Sequence, residues 1–174
     1  ERWGGGGLCD ASLSGILEEI AAGDCATLTI VSVNNCPVCS ILMAWGTEAQ
    51  KDRWLTPLAS GAMLGAFCLT EPQVGSDAGA LATTAVTDDG GGSWRIDGVK
   101  QFITSGRNGD VAIVMAVTDR AAGKRGISAF LVPTDAPGYT VARLEDKLGQ
   151  HASDTAQIAF ENRRVAVSYT HLTT

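Results

Sequence analysis

The sequence predicts an α+β fold: a partial helical domain over residues 1–62, then an antiparallel β-barrel over 63–166. Two observations carry this. Up to Gly61 the apolar residues recur at helical spacing between capping and stop signals, as in Leu13, Ile16, Leu17, Ile20 and Ala21. Beyond Gly61, short runs rich in Val, Ile, Thr and Phe alternate with turn residues, with no helical stretch between them. That pattern favours an antiparallel barrel or sandwich over a parallel sheet.

The elements follow in order. Asp10 is placed to cap the first helix and Gly23 to stop it. A second segment opens at Asp24 and runs to Trp45, apolar nearly all round, as expected of a helix buried among others. Pro37 should kink or break it, because a mid-helix proline removes one hydrogen bond and crowds the preceding turn. Thr47-Glu48-Ala49-Gln50 reads as a capping box opening a third helix, which Pro57 and Gly61 close. Strands are expected over 64–70, 80–87, 93–97, 99–104, 111–118, 126–132, 139–144 and 155–161. Gly90-Gly91-Gly92 and Asp97-Gly98 read as hairpin turns, the latter because a tight primed turn requires positive φ. The last eight residues, 167–174, do not continue the strand pattern and read as an adapter-encoded tail expected to make few contacts.

Composition narrows the function. A net charge of −6 disfavours a phosphate-backbone binder. Asn34, Asn35 and Pro37 interrupt the longest apolar stretch, which argues against a membrane span. Five scattered cysteines suit reduced thiols rather than a disulfide framework. Cys36-Pro37-Val38-Cys39 is formally a CxxC, but a redox reading wants a strand before it and a zinc reading wants further ligands. The only histidines are His151 and His171, so these thiols are expected in the core and no metal site is expected. Gly4 to Gly7 lacks both the preceding strand and the spacing of a nucleotide loop.

Three motifs could carry chemistry. The first, Phe67-Cys68-Leu69-Thr70-Glu71-Pro72-Gln73-Val74-Gly75-Ser76-Asp77, is a strand leaving into a loop with backbone donors and hydroxyls suited to a polar ligand edge. The second, Gly98 to Gly106, sets Phe102 two residues before Thr104, so both face one side of a strand. An aromatic beside a hydroxyl suits a planar ring with polar edges. The third is Glu145-Asp146-Lys147-Leu148-Gly149 with Ser153-Asp154-Thr155. Taken singly, each is ordinary strand and loop composition.

Together and in order, these motifs resemble the acyl-CoA dehydrogenase family. Trp3-Gly4-Gly5, Leu17-Glu18-Glu19 and Gly46-Thr47-Glu48 resemble the family's earlier segments, so the resemblance covers residues 1–166. Val31-Ser32-Val33-Asn34-Asn35 and Ser128 to Pro133 are similar to the short-chain, butyryl-CoA branch. Gln73-Val74 and Pro37 depart from the family pattern. The resemblance implies FAD as cofactor, an acyl-CoA substrate, an electron-transfer flavoprotein as electron acceptor and a homo-oligomer. It implies the bacterial cytoplasm or the mitochondrial matrix as location. It also implies that Phe67, Cys68, Leu69, Thr70 and Ser76 hold the flavin's pyrimidine edge and phosphate. Phe102, Ile103 and Thr104 would meet the ring, Ser76 would line the thioester entry, and Lys124 and Arg125 would await the CoA phosphates. The family's catalytic Glu belongs to a C-terminal helical domain expected to be absent here, so no catalytic residue is assigned. Glu71 is expected to be held in loop contacts. Two other readings are a flavin oxidase or monooxygenase of the same fold, which oxygen consumption would reveal, and a non-catalytic binding module, which would not retain flavin.

Overall fold

The computed structural model describes residues 2–88 and 90–167. Helices come first: α1 (Asp10–Gly23), α2 (Cys25–Val33), a wide turn over Asn34–Cys39, α3 (Ser40–Trp45), α4 (Glu48–Gln50) and, through Lys51–Leu55, α5 (Thr56–Ser60). Seven strands follow: β1 (Gly65–Cys68), β2 (Thr84–Thr87), β3 (Ser93–Thr104), β4 (Val111–Val117), β5 (Ile127–Pro133), β6 (Tyr139–Leu144) and β7 (Thr155–Ala166).

Side-chain capping explains the starts of α2 and α4 but not of α1. The N-cap of α1 is Cys9, which makes no side-chain cap, and Asp10, expected as the cap, is already the first helical residue, where its negative charge suits the helix N-terminus. Asp24 accepts from the amides of Ala26 and Thr27, and Thr47 and Gln50 form the reciprocal capping box. Gly61 ends α5 in the left-handed region, φ 75°. Pro57 does not close a helix: the chain stays helical from Glu48 to Ser60, and the widened turn Lys51–Leu55 immediately precedes the Thr56-Pro57 pair. The apolar stripe of α1 is not a core face: none of its residues is buried. Periodicity marks a stripe, but only a partner buries it.

The run Cys25–Trp45 is long and apolar enough by length and composition to cross a membrane. It is not buried among other helices as expected: along it only Ala26, Asn34, Val38 and Leu42 are buried. It breaks at Cys36, whose backbone is extended (φ −136°, ψ 110°), just before Pro37. The buried Asn34 turns this helix into a tie within the protein: its Nδ2 donates to the Leu58 carbonyl (3.0 Å), and its Oδ1 accepts from the Gly65 amide (2.9 Å). The break also corrects the expectation for the CxxC pair. Cys39 is half-buried, which pushes its thiol up to about 11, whereas Cys36 turns outward; Cys9 and Cys25 are also exposed, and Cys68 alone is buried.

The sheet is mixed, not purely antiparallel. Its order is β1-β4-β2-β3-β7-β6, with β5 on the far side of β4. β1 and β2 both run parallel to β4, β1 along Val111 to Val114 and β2 at Val117. The connection between β1 and β2 is too long for a hairpin, so β2 returns in the same direction beside the same strand. This connection carries the first motif. The strand expected over 80–87 shortens accordingly, with a tight helical turn at Ala78–Ala80 before it.

β4 is buried on both faces and reads as an unbroken apolar run. Val111 and Ile113 pack against Val38, Leu42, Trp54, Leu55 and Leu58 of the helices. Ala112, Val114 and Ala116 face the barrel interior with Phe130, Ile158 and Phe160. Asp97-Gly98 is not a hairpin turn either. β3 runs straight through it, and the extra residue lies on β7, where Asn162 (φ 56°) donates its amide to Asp97 Oδ1 at 2.7 Å. Gly98 is needed for a different reason: a Cβ there would stand 2.7 Å from Thr83 Cα. The turn at 90–92 is found as expected, closed by the Asp88 amide on the Ser93 carbonyl. Of the proposed tail, only Val167 lies within the described residues, so the expectation for 168–174 falls outside them.

Candidate functional site

The first two motifs are locked together by one lysine. In β3 the inward positions are Ile96, Lys100 and Ile103, so Lys100 occupies a core position and is fully buried. Its Nζ donates to Glu71 Oε1 (2.9 Å) and to the Leu69 carbonyl (3.0 Å). Glu71 in turn accepts from the amides of Ala82 (2.7 Å) and Thr83 (3.0 Å) and from Gln73 Nε2 (2.8 Å). Burial alone would raise the Glu71 carboxyl, but donors from Thr83, Lys100 and Ala82 outweigh it and pull it down to about 2. Burial lowers Lys100, opposed by Glu71. The expectation that Glu71 is held in loop contacts is met. Glu71 and Val74 also exchange backbone hydrogen bonds, which makes Glu71-Pro72-Gln73-Val74 a closed turn.

One residue beyond Lys100, the Gln101 amide donates to the Thr70 carbonyl at 2.8 Å. Here β3 bulges: Lys100 pairs with Ile158, but Ile103 pairs with Ala156, so Gln101 and Phe102 share the place of one residue. Phe102 takes a left-handed backbone, φ 59°, costly for a bulky side chain, and is 60% exposed. An exposed aromatic on a strained bulge is an arrangement that packing does not explain.

The sequence-predicted residues divide into those that face outward and those that do not. Phe102 and Thr104 both lie on the outer side of β3, with Ile103 between them buried in the barrel core. Thr70 is half-buried and joined to this bulge through Gln101; Ser76 is exposed in the loop. Among the described residues, no hydrogen bond engages the hydroxyls of Thr70, Ser76 or Thr104. Cys68 points into the barrel core, where burial pushes its thiol up to about 12 against the opposing charge of Lys100. The side chains of Cys68 and Ile103 are therefore framework, and only their backbone groups can meet a ligand. Phe67 is half-buried against the helix-facing core, and Leu69 packs by Val74, Leu81 and Val117.

The third motif supports the second. Thr104 pairs with Thr155, the Ser105 amide donates to the Asp154 carbonyl (3.2 Å), and the Asp154 carboxylate accepts from the Arg107 amide (2.8 Å) and Asn108 Nδ2 (3.0 Å). Lys147 donates to the Ser153 carbonyl and to Thr155 Oγ1, and Gln150 accepts from Thr29 of α2. These ties escape a reading of the sequence. The one signal available is a lysine at an inward position of an apolar strand.

Two open clefts flank the first motif. One, of about 380 Å³, is lined by Glu71, Pro72, Gln73, Thr83, Val99 and Gln157 among others. The other, about 270 Å³, is more apolar, with Leu69, Leu81, Met115 and Ile127 on its walls and Lys124 at its side. Lys124 packs over Gly79, so close that a Cβ there would stand 2.9 Å from Lys124 Cε. The loop expected to meet phosphates thus leans on the segment that follows Ser76. Among the described residues, no group of three or more His, Cys, Asp or Glu is placed to hold a metal ion.

The three motifs are tied to one another on a helix-backed mixed sheet, with Phe102 and Thr104 on its outer side. The chain belongs to the acyl-CoA dehydrogenase family: residues 1–62 match its N-terminal domain and residues 66–163 its middle domain. It is 46% identical over 165 residues to the mitochondrial short-chain specific acyl-CoA dehydrogenase of Bos taurus, covering 95% of this chain and 40% of that protein. Butyryl-CoA dehydrogenase of Megasphaera elsdenii superposes with a TM-score of 0.83 at 39% identity, over 88% of this chain and 40% of its own. A glutaryl-CoA dehydrogenase from Mycobacterium smegmatis, solved in complex with FADH2, gives 0.81 at 39% identity, over 88% of this chain and 38% of its own. The chain spans about two fifths of the length of the curated relatives it matches.

Proposed function

We propose that this chain supplies the flavin-binding part of a short-chain acyl-CoA dehydrogenase, with residues 1–62 as its helical support and 63–166 as its flavin domain. The observation that carries the reading is Phe102: an exposed aromatic held at positive φ beside Thr104 and joined through Gln101 to Thr70. The residues present fit FAD, since an exposed ring is flanked by hydroxyls that no described residue engages. When bound, the flavin supplies the hydride-accepting chemistry that no amino-acid side chain provides.

In this reading Phe102 packs on the ring system, while Thr104 and Thr70 donate to its polar edge, where preorganised donors favour developing negative charge. The backbone groups from Phe67 to Leu69 and of Ile103 frame the pocket, and Ser76 serves both the flavin phosphate and the thioester entry. The CoA tail runs past Gly79 toward Lys124 and Arg125, with Leu69 and Met115 as an apolar floor. In the whole protein the substrate is a short acyl-CoA and the acceptor an electron-transfer flavoprotein. That protein is a homo-oligomer, resident in the mitochondrial matrix in a eukaryote or the cytoplasm in a bacterium. Proton abstraction from the substrate is not carried by Glu71 or Asp154, whose carboxylates are engaged by Lys100, Gln73 and backbone amides or by Arg107 and Asn108.

The test is Phe102→Gly. Glycine tolerates the left-handed backbone and the ring is mostly exposed, so stability should stay within about 1 kcal/mol of the parent. FAD affinity, read by flavin fluorescence, should fall roughly tenfold, in line with the loss of one stacked aromatic. With FAD and butyryl-CoA added anaerobically, the parent chain should keep its flavin absorbance. Unchanged affinity in Phe102→Gly, or bleaching that Glu71→Gln abolishes, would contradict the reading.

A further inference from the structure

We infer that the buried Lys100–Glu71 pair is a positioning device that fixes the Thr70–Ser76 loop against the Phe102 bulge; as a statement about flavin, this rests on the function proposed above. The geometry is that of a clamp. Lys100 and Gln101 are adjacent in β3, and they grip the first motif at three successive residues: the carbonyl of Leu69, the carbonyl of Thr70 and the carboxylate of Glu71. The far end of Glu71 then holds the amides of Ala82 and Thr83, which lead into β2. One lysine side chain therefore sets the entry, the turn and the exit of the loop relative to the bulge.

A stability role alone does not account for this choice. Two charges taken wholly out of water incur a desolvation penalty that an apolar pair of similar volume avoids, so such a pair is a weak source of stability. Its strength is geometric, because every donor and acceptor must meet a partner in one arrangement. The outward groups that this arrangement aligns, Thr70, Ser76, Phe102 and Thr104, make no use of the pair themselves. The Lys100 and Glu71 side chains are buried and spend their polar atoms on protein partners, so they act through the backbone.

The test uses the 174-residue chain with Lys100→Met, and Glu71→Gln as a second variant of nearly unchanged volume should the first not fold. Amide hydrogen exchange is followed residue by residue, and FAD binding is read from flavin fluorescence and the shape of its visible band. The amides of Gln101, Ala82 and Thr83 should accelerate roughly tenfold or more beyond those of β4 and β5, whose own change reports any loss of overall stability. FAD affinity should fall roughly tenfold or more, with loss of the bound-flavin band shape. Parent-like exchange at Gln101, Ala82 and Thr83 would overturn the inference, whatever FAD does. Equal acceleration throughout the sheet would also overturn it, by showing a general loss of stability. Acceleration greater at these amides than in β4 and β5, with FAD affinity unchanged or with no FAD binding by the parent, would uphold the clamp and overturn the flavin reading instead.

Discussion

Gly126→Ala is expected to destabilise the chain by about 4 kcal/mol or more, a large share of the roughly 5–15 kcal/mol that holds a domain folded. A Cβ on Gly126 would stand 1.7 Å from the Asp119 carbonyl oxygen and 2.7 Å from its carbon. Neither can move freely. The Gly126 carbonyl accepts from the amides of Thr118 (2.8 Å) and Asp119 (3.1 Å) and from the Thr118 hydroxyl (3.1 Å), which in turn meets Ser128 Oγ at 2.9 Å. Relieving the clash therefore means opening the base of the β4–β5 connection, beside strands whose inward residues are wholly buried. Gly123 in the same loop is the control. Its backbone (φ 59°, ψ −130°) is one that glycine alone adopts readily, but a Cβ there meets nothing within 4 Å, so Gly123→Ala should cost only about 1–3 kcal/mol of backbone strain. Urea unfolding midpoints compare the two, and equal midpoints would contradict this expectation.

Acid should unfold the chain through Glu71. Its carboxyl lies at about 2 in the folded chain against an ordinary 4.5. A depressed carboxyl contributes stability that is fully present above its unfolded value and is lost as pH falls toward the folded one. The window is therefore pH 4.5 down to about 2, and the loss across it is on the order of 3 kcal/mol, at about 1.4 kcal/mol for each pH unit between the two values. The quantity to measure is the difference in unfolding free energy between the parent and Glu71→Gln, which isolates this one group. That difference should shrink steadily as pH falls through the window. A difference independent of pH would show that the Glu71 charge contributes nothing.

Much of the helical part is legible in the sequence because capping is local chemistry. Asp24, Thr47, Gln50 and Gly61 each act within a few residues of themselves, and each does what its spacing implies. The sheet is legible as strands but not as a topology. Two strands on one side of β4, end to end and parallel to it, depend on how a long loop returns, and no short-range pattern records that. Asp97-Gly98 shows the limit most clearly: the glycine is required, but by the close approach of Thr83 rather than by a turn. Alternation puts Phe102 and Thr104 on one side of β3, as in the structure, although it does not reveal the bulge at Phe102. Lys100 and Asn34 escape it because each binds partners far along the chain, and a buried polar residue looks in sequence like an exposed one.

The central claim is that a flavin lies on the outer face of β3, against Phe102 and Thr104 and beside Thr70. The most direct measurement is an NMR titration of the isotope-labelled chain with FAD, at concentrations high enough to detect weak binding. The largest amide shifts should fall on Thr70, Ser76, Phe102 and Thr104, with ring-current shifts on the Phe102 side chain. Saturating shifts confined to other surfaces, or none at all, would contradict the claim.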